Sequence, residues 1–240
     1  MSVANFRGNQ IPVTVQEAPD AELALNTDLI QNWLGNIDES INIKSLEIQS
    51  VDKFGSSRVG FVKVKSEAER NGSRIPGIVV LRGSSVAMLL VLTDEETNEQ
   101  YSILTCQPRV PVGKLILELP AGMTDGRSVR SVAITELQEE CGLEVKNEEL
   151  IDLTQIAYSK DAGIYTSPGL LDETIRLFAW KKTMKHEEIL QLEGKIGGES
   201  PHELIILRLV KFEDLWRLAP DAKTLSALYL YQKLTDEHKI

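Results

Sequence analysis

The chain is 240 residues long, 42% hydrophobic and 26% charged, with a net charge of −10, which is the composition of an ordinary globular protein able to bury a real core. An acidic surface repels nucleic-acid backbones and anionic lipid, and no lysine- or arginine-rich run offsets it, so neither is expected as a partner. The longest uninterrupted apolar run, Val86 to Leu92, is about a third of the roughly 20 residues that a membrane helix needs.

At the start, MSVANFRGNQ has no basic segment leading into an apolar stretch. Glu17, Asp20, Glu22 and Asp28 then follow where a mitochondrial presequence avoids acids, so a cytoplasmic location is expected. Residues 1–45 are mixed, with one helical segment: Asn26 or Thr27 caps it, Leu29, Ile30, Trp33 and Leu34 share a face, and Gly35 stops it. Strands rich in Val, Ile and Leu are predicted at residues 59–64, 77–81, 86–92, 101–106 and 114–119, divided by turn residues such as Asn71-Gly72-Ser73 and Gly83-Ser84-Ser85. A helix over 128–141 comes next, then strands at 150–156, 174–180 and 204–210, and helices at 213–218 and 221–237. Strands on both sides of one helix, with further helices last, read as an α/β/α sandwich with a mixed sheet, preceded by a small β-rich N-terminal part. Cys106 and Cys141 are far apart and lack His or Cys at zinc-ligand spacing, so neither a disulfide framework nor a structural metal is expected.

One segment carries chemistry. The apolar strand ends in Leu119-Pro120-Ala121-Gly122-Met123-Thr124-Asp125-Gly126, and the helix that follows, with Ser128 as N-cap and Gly142 just past its end, finishes in Glu136-Leu137-Gln138-Glu139-Glu140. At about 100° per residue the three glutamates fall in one sector, while Ile134, Leu137 and Cys141 fall in another. Like charges three and four apart repel, and these also crowd the negative end of the helix dipole. A solvated acidic face is the ordinary meaning of such a run. Mg²⁺ offers another relief, because it binds through a couple of carboxylates and fills its remaining positions with water and phosphate oxygens, which also lets an acidic protein hold a polyphosphate. The Ala121-Gly122 turn favours the second reading, since its backbone can approach a ligand closely.

Residues 122–143 resemble the Nudix box, a glycine, a short loop and a helix ending Arg-Glu-aliphatic-any-Glu-Glu-any-Gly-aliphatic. Gln107-Pro108-Arg109-Val110-Pro111, Glu118-Leu119-Pro120-Ala121-Gly122-Met123 and Ser167-Pro168-Gly169 with Asp172-Glu173 are similar to the ADP-sugar and ADP-ribose diphosphatase branch of that family, including its plant members. The similarity runs from about Arg58 to Lys223. Two positions depart from the box: Thr135 stands where the family has Arg, and Arg127 or Ser128 stands where it has its first Glu, in a loop one residue short. If those two family residues form a structural pair, losing both costs less than stranding one charge.

The resemblance implies hydrolysis of the diphosphate of ADP-ribose or ADP-glucose, with UDP-glucose next, to AMP and a sugar phosphate. It implies Mg²⁺, or Mn²⁺, held by the Ala121 carbonyl, Glu136, Glu139 and Glu140, with Glu139 also able to orient water. Arg109, whose planar fork suits a diphosphate, joins Glu118, Met123 and Glu173 as substrate-binding residues. The general base falls on the loop Gly197-Gly198-Glu199-Ser200-Pro201-His202-Glu203, with Glu199 and Glu203 as the candidates. Residues 1–75 are expected to form a β-rich dimerisation region and 76–240 the Nudix hydrolase domain, giving a homodimer. A Nudix fold that binds or senses a nucleotide sugar with little turnover is the competing reading, marked by Thr135. No Gly-x-Ser-x-Gly elbow is present, and residues 55–63 lack the Gly-Lys-Ser/Thr ending of a phosphate loop.

Overall fold

The computed structural model describes residues 2–15, 20–56, 58–158, 163–198 and 205–240. Two compact units are formed, one from Met1–Gly83 with Ser167–Glu173, the other from Ser84–Thr166 with Thr174–Ile240.

In the first unit, strands β1 (Ser2–Phe6) and β2 (Asn9–Val15) precede two short helices, α1 (Ala21–Leu25) and α2 (Asp28–Gly35). Strands β3 (Ile41–Phe54), β4 (Arg58–Arg70), β5 (Ser73–Ile75) and β6 (Ile78–Leu81) follow. The sheet runs β1-β2-β3-β4-β5, with β6 also on β4, and among the described residues its parallel strand pair is β2 with β3. Alternation along β4 shows why it is a strand: Val62, Val64 and Ala68 are buried while Lys63, Lys65 and Glu67 are exposed. Ala24, Leu25, Ile30 and Leu34 from the helices share one core with Leu46, Ile48, Val62 and Val64. The expected helix is α2, but the Thr27 hydroxyl donates back to Ala24 O at 2.6 Å and makes no N-terminal capping bond. Strands β1, β2 and β3 go beyond the one helix expected in residues 1–45: Ile11, Val13 and Val15 alternate in β2, and bulges interrupt the period of β3.

The second unit opens with β7 (Ser85–Asp94), β8 (Gln100–Arg109), β9 (Lys114–Glu118) and β10 (Ala121–Met123), then helix α3 (Val129–Cys141). Next come β11 (Leu150–Asp152), α4 (Leu153–Tyr158), β12 (Ile164–Tyr165), β13 (Thr174–Met184) and α5 (His186–Leu190). The unit ends with β14 (Ile196–Gly197), β15 (Ile205–Lys211), α6 (Leu215–Leu218) and α7 (Ala222–Asp236). The mixed sheet runs β11-β13-β7-β8-β15-β14, and β13 with β7 is its parallel pair.

The apolar run of β7 is explained by burial on both faces. Val86, Met88, Leu90 and Leu92 enter a core with Val132, Ala133, Leu137 and Cys141 of α3. Ala87, Leu89 and Val91 enter another core with Ala227, Leu230, Tyr231 and Leu234 of α7. Each fully buried Leu or Val of this strand stabilises by about 1.5–3 kcal/mol. This is the expected α/β/α arrangement. Residues 150–156 are not one strand, however: β11 stops at Asp152, whose carboxylate accepts from Gln155 N at 2.8 Å and from Thr154 Oγ1 at 2.9 Å. An aspartate in that position caps α4, and this local bond overrides the apolar run that suggested a longer strand. No helix among the described residues is long and apolar enough to cross a membrane.

Candidate active site

The Gly-rich turn is clamped to the central strand. Ala121, Gly122 and Met123 pair antiparallel with Ala87, Val86 and Ser85, and Pro120 O accepts from Met88 N at 3.0 Å. Thr124 follows, donating to Ser84 O through its N–H at 2.9 Å and its hydroxyl at 3.0 Å. The chain then turns through Asp125 (φ 47) and Gly126 (φ 75), left-handed conformations that place a short reversal before α3. Ser128 occupies the N-cap position with extended backbone, but its side chain makes no capping bond; Gly142, at φ 66, ends the helix as expected.

With its apolar face fixed on β7, α3 sets Glu136 and Glu140 against the turn. Glu140 is buried, and its carboxylate accepts the Ala121 N–H at 3.2 Å. Glu136 and Glu139 are half-buried. A Cβ at Gly122 would stand 1.9 Å from Glu136 Oε1, so only glycine lets this carboxylate lie against the turn. Burial first, and then the neighbouring negative charge of Glu136, push the Glu140 carboxyl up to about 8; the Ala121 N–H and Arg109 oppose this, and Glu118 adds to it. The acidic sector is therefore not an evenly solvated face.

The last turn of α3 is crossed by β14. A Cβ at Gly197 would stand 2.0 Å from the Glu140 backbone oxygen, and Gly198 N donates to Glu139 O at 3.2 Å. The loop expected to hold the general base thus departs from the acid cluster, while Glu199, His202 and Glu203 themselves lie outside the described residues.

A second set of charges adjoins the first. Glu118, at the end of β9, is buried and accepts from Arg109 Nε at 2.6 Å and from the ammonium of Lys223. Lys223, buried at the start of α7, also reaches Asp221 Oδ1 at 3.2 Å, and Asp221 caps α7 through Thr224 N at 3.1 Å and Thr224 Oγ1 at 2.9 Å. The structure thus brings together Arg109, Glu118, Ala121, Glu136 and Glu140, with half-buried Met123 two residues beyond Ala121, while Glu139 is half-buried on the same last turn of α3. Glu173 belongs to the first unit, where it is buried and stands 3.5 Å from Arg82 Nη1. Sequence gives no site role to Lys223 or Asp221, since Asp-Ala-Lys-Thr at the head of α7 signals a helix cap and nothing more, and Gly197 reads only as the start of the general-base loop.

Among the described residues no three His, Cys, Asp or Glu side chains converge closely enough to enclose a bare metal ion. A cation held here would draw on two carboxylates and on water or substrate oxygens, an all-oxygen set that suits Mg²⁺ or Mn²⁺. The raised Glu140 and the glycine-only approach to Glu136 fit such an ion, because a cation would relieve two crowded carboxylates.

No family model matches the chain. In shape it is similar to the crystal structure of an ADP compounds hydrolase, with a TM-score of 0.48 and 19% identity over 83% of this chain and 99% of that one. It is 30% identical over 198 residues to the ADP-ribose pyrophosphatase of Bacillus subtilis, covering 79% of this chain and 95% of that one. It is 40% identical over 223 residues to a protein of Arabidopsis thaliana named Nudix hydrolase 14, chloroplastic, covering 87% of this chain and 71% of the relative. The chain belongs to the Nudix hydrolase family. Nudix hydrolases generally use divalent metal ions, in keeping with the oxygen donors of this site. In this Nudix hydrolase the two departures from the box sit in different settings: Arg127 and Ser128 are exposed before α3, and Thr135 is half-buried within it.

Proposed function

We propose that this Nudix hydrolase cleaves the diphosphate of an ADP-sugar, ADP-ribose or ADP-glucose before UDP-glucose, releasing AMP and a sugar phosphate with Mg²⁺ or Mn²⁺ as the cofactor. The observation that carries this reading is the buried Glu140 carboxylate set beside Glu136, whose own carboxylate lies against the turn where only a glycine at 122 leaves it room. The names of the relatives, an ADP-ribose pyrophosphatase among them, supply the substrate class. Glu136, Glu140 and the Ala121 carbonyl, with Glu139 as a further ligand or the group that orients water, would hold the metal, which would supply charge neutralisation and lower the cost of deprotonating water. Glu139 orients that water, and Glu199 or Glu203 accepts its proton. Arg109 takes the diphosphate with its fork, Glu118 holds Arg109, and Met123 and Glu173 are assigned to the substrate from their motifs.

The test is AMP release from a panel of nucleotide sugars with Mg²⁺ or Mn²⁺, run for the wild type and for Glu139→Gln. Turnover of an ADP-sugar that falls at least a hundredfold in the variant is expected. Equal product from both proteins, or none from either despite measurable ligand binding, would refute the hydrolase reading.

We further propose that residues 1–75 pair two copies of the chain; exposed Val3, Val15 and Leu23 in that region support this reading. Gel filtration should then give twice the chain mass of 26.7 kDa, and a monomer would end the idea. The two free cysteines suit a reducing compartment, and we place the protein in the cytoplasm, to be checked with a fluorescent fusion.

A further inference from the structure

Four charged groups lie in series beside the acid cluster, and only two of them have a role so far. Arg109 ends β8 and is half-exposed; its Nε is bound to Glu118 Oε1 at 2.6 Å. Among the described residues the terminal nitrogens of Arg109 make no hydrogen bond, so the outer edge of its fork is available to an anion. What fixes that edge is Glu118, and Glu118 is buried, so the direction in which its carboxylate points depends on what holds the other oxygen. That partner is Lys223, whose ammonium contacts Glu118 Oε2 and is itself held 3.2 Å from Asp221 Oδ1. Asp221 is in turn immobilised as the cap of α7.

We propose that Lys223, anchored by Asp221, is a positioning residue that locks Glu118 and through it aims the Arg109 guanidinium at the diphosphate of the substrate. The inference rests on the proposed diphosphatase reading. Its physical basis is that a guanidinium held through Nε loses the freedom of a long side chain before the ligand arrives, which improves binding without a new contact. The series carries two negative and two positive groups, so the buried carboxylate is neutralised from both sides, and removing Lys223 leaves it with one half-exposed partner. A buried lysine of this kind has a plain structural duty as well, which the test must separate from the positioning role.

The experiment compares Lys223→Met, Lys223→Arg, Arg109→Ala and the double variant Arg109→Ala/Lys223→Met. For each, the Kd of ADP-ribose without added metal is measured by calorimetry, KM and kcat are measured with Mg²⁺, and a thermal melt is recorded. Lys223→Met is expected to weaken Kd and KM about tenfold with kcat within twofold, and Lys223→Arg to recover most of the loss. The double variant is expected to bind no more than twofold worse than Arg109→Ala alone, because the lysine acts only through the arginine. Multiplying losses in the double variant, or unchanged Kd in Lys223→Met, would overturn the proposal. Should Lys223→Met fail to fold, Glu118→Gln/Lys223→Met strands no charge and must show the same loss of binding. A wild type that binds ADP-ribose but releases no AMP would refute the diphosphatase reading, while the Kd series would still decide the role of Lys223.

Discussion

Replacing Gly122 by alanine tests the closeness of the turn to Glu136 without removing any charge. The new Cβ would sit 1.9 Å from Glu136 Oε1, 2.1 Å from Cδ and 2.6 Å from Cγ, all atoms toward the free end of a long side chain. Ordinary contact begins near 3.4 Å, so the carboxylate must retreat by about 1.5 Å. The fold can allow this: Gly122 is not in the left-handed region, and a glycine-to-alanine change gains about 0.4–1 kcal/mol through the unfolded chain, which offsets part of the crowding. Stability should therefore change by less than about 1 kcal/mol in urea melts. Activity should not survive so well. Misplacing a catalytic group by about 1 Å costs on the order of a hundredfold in rate, about 2.7 kcal/mol of barrier. The assay is AMP release from ADP-ribose with saturating Mg²⁺, read beside the melt. A Gly122→Ala protein that melts like the wild type and keeps more than a third of its activity would show that the position of Glu136 is unimportant.

Gly197→Ala makes the complementary case, because its Cβ would stand 2.0 Å from the backbone oxygen of Glu140, and a helix backbone cannot swing aside; a loss of about 1–3 kcal/mol in urea melts is expected. Glu140→Gln should alter the pH dependence of the metal-free protein measured in EDTA. Burial and Glu136 raise this carboxyl from 4.5 to about 8, so the wild type should lose stability as pH climbs from 4.5 through about 8, and the variant should lack that slope while also losing metal-supported turnover. Asp94 behaves oppositely. Burial pushes its carboxyl up, but the Glu96 N–H, His186 and Thr97 together bring it down to about 2, so its contribution is complete above 3.8 and vanishes as pH falls toward 2. Asp94→Asn should flatten that acid limb in urea melts between pH 2 and 5, and an unchanged limb would assign it to other carboxylates.

How much could be read from sequence follows from the range of the interactions involved. The double-sided burial of β7 is written in an unbroken apolar run, and the Asn71-Gly72 turn between β4 and β5, with φ of 51 and 76, is written in two adjacent residues. The glutamate sector of α3 follows from helical spacing alone. The capping aspartate at 152 was also local, yet an apolar run concealed it. Nothing local indicates that Glu140 is buried, since that depends on where Ala121 and Gly197 come to rest, or that Lys223 meets Glu118 across 105 residues of chain. Buried charge partners supplied by a distant helix carry no sequence period, and they were the part of the site left unread.

The same geometry bears on Thr135, where the Nudix box has an arginine. Glu136 and Glu140 lie near the negative end of the α3 dipole and need a cation nearby. In this chain Arg109, brought in from β8, is among the groups that draw the Glu140 carboxyl back down. Arg109 is held in place by Glu118, so part of the compensation that a helix arginine would give comes from the sheet. Thr135→Arg restores the box residue at a half-buried position and should therefore raise kcat/KM for ADP-ribose by less than about threefold, under 0.7 kcal/mol of barrier. In an Arg109→Ala background the same substitution should help more, because the sheet cation is gone. A tenfold gain from Thr135→Arg in the wild-type background would mean that the acid cluster lacks its cation, and that Arg109 does not stand in for the missing residue.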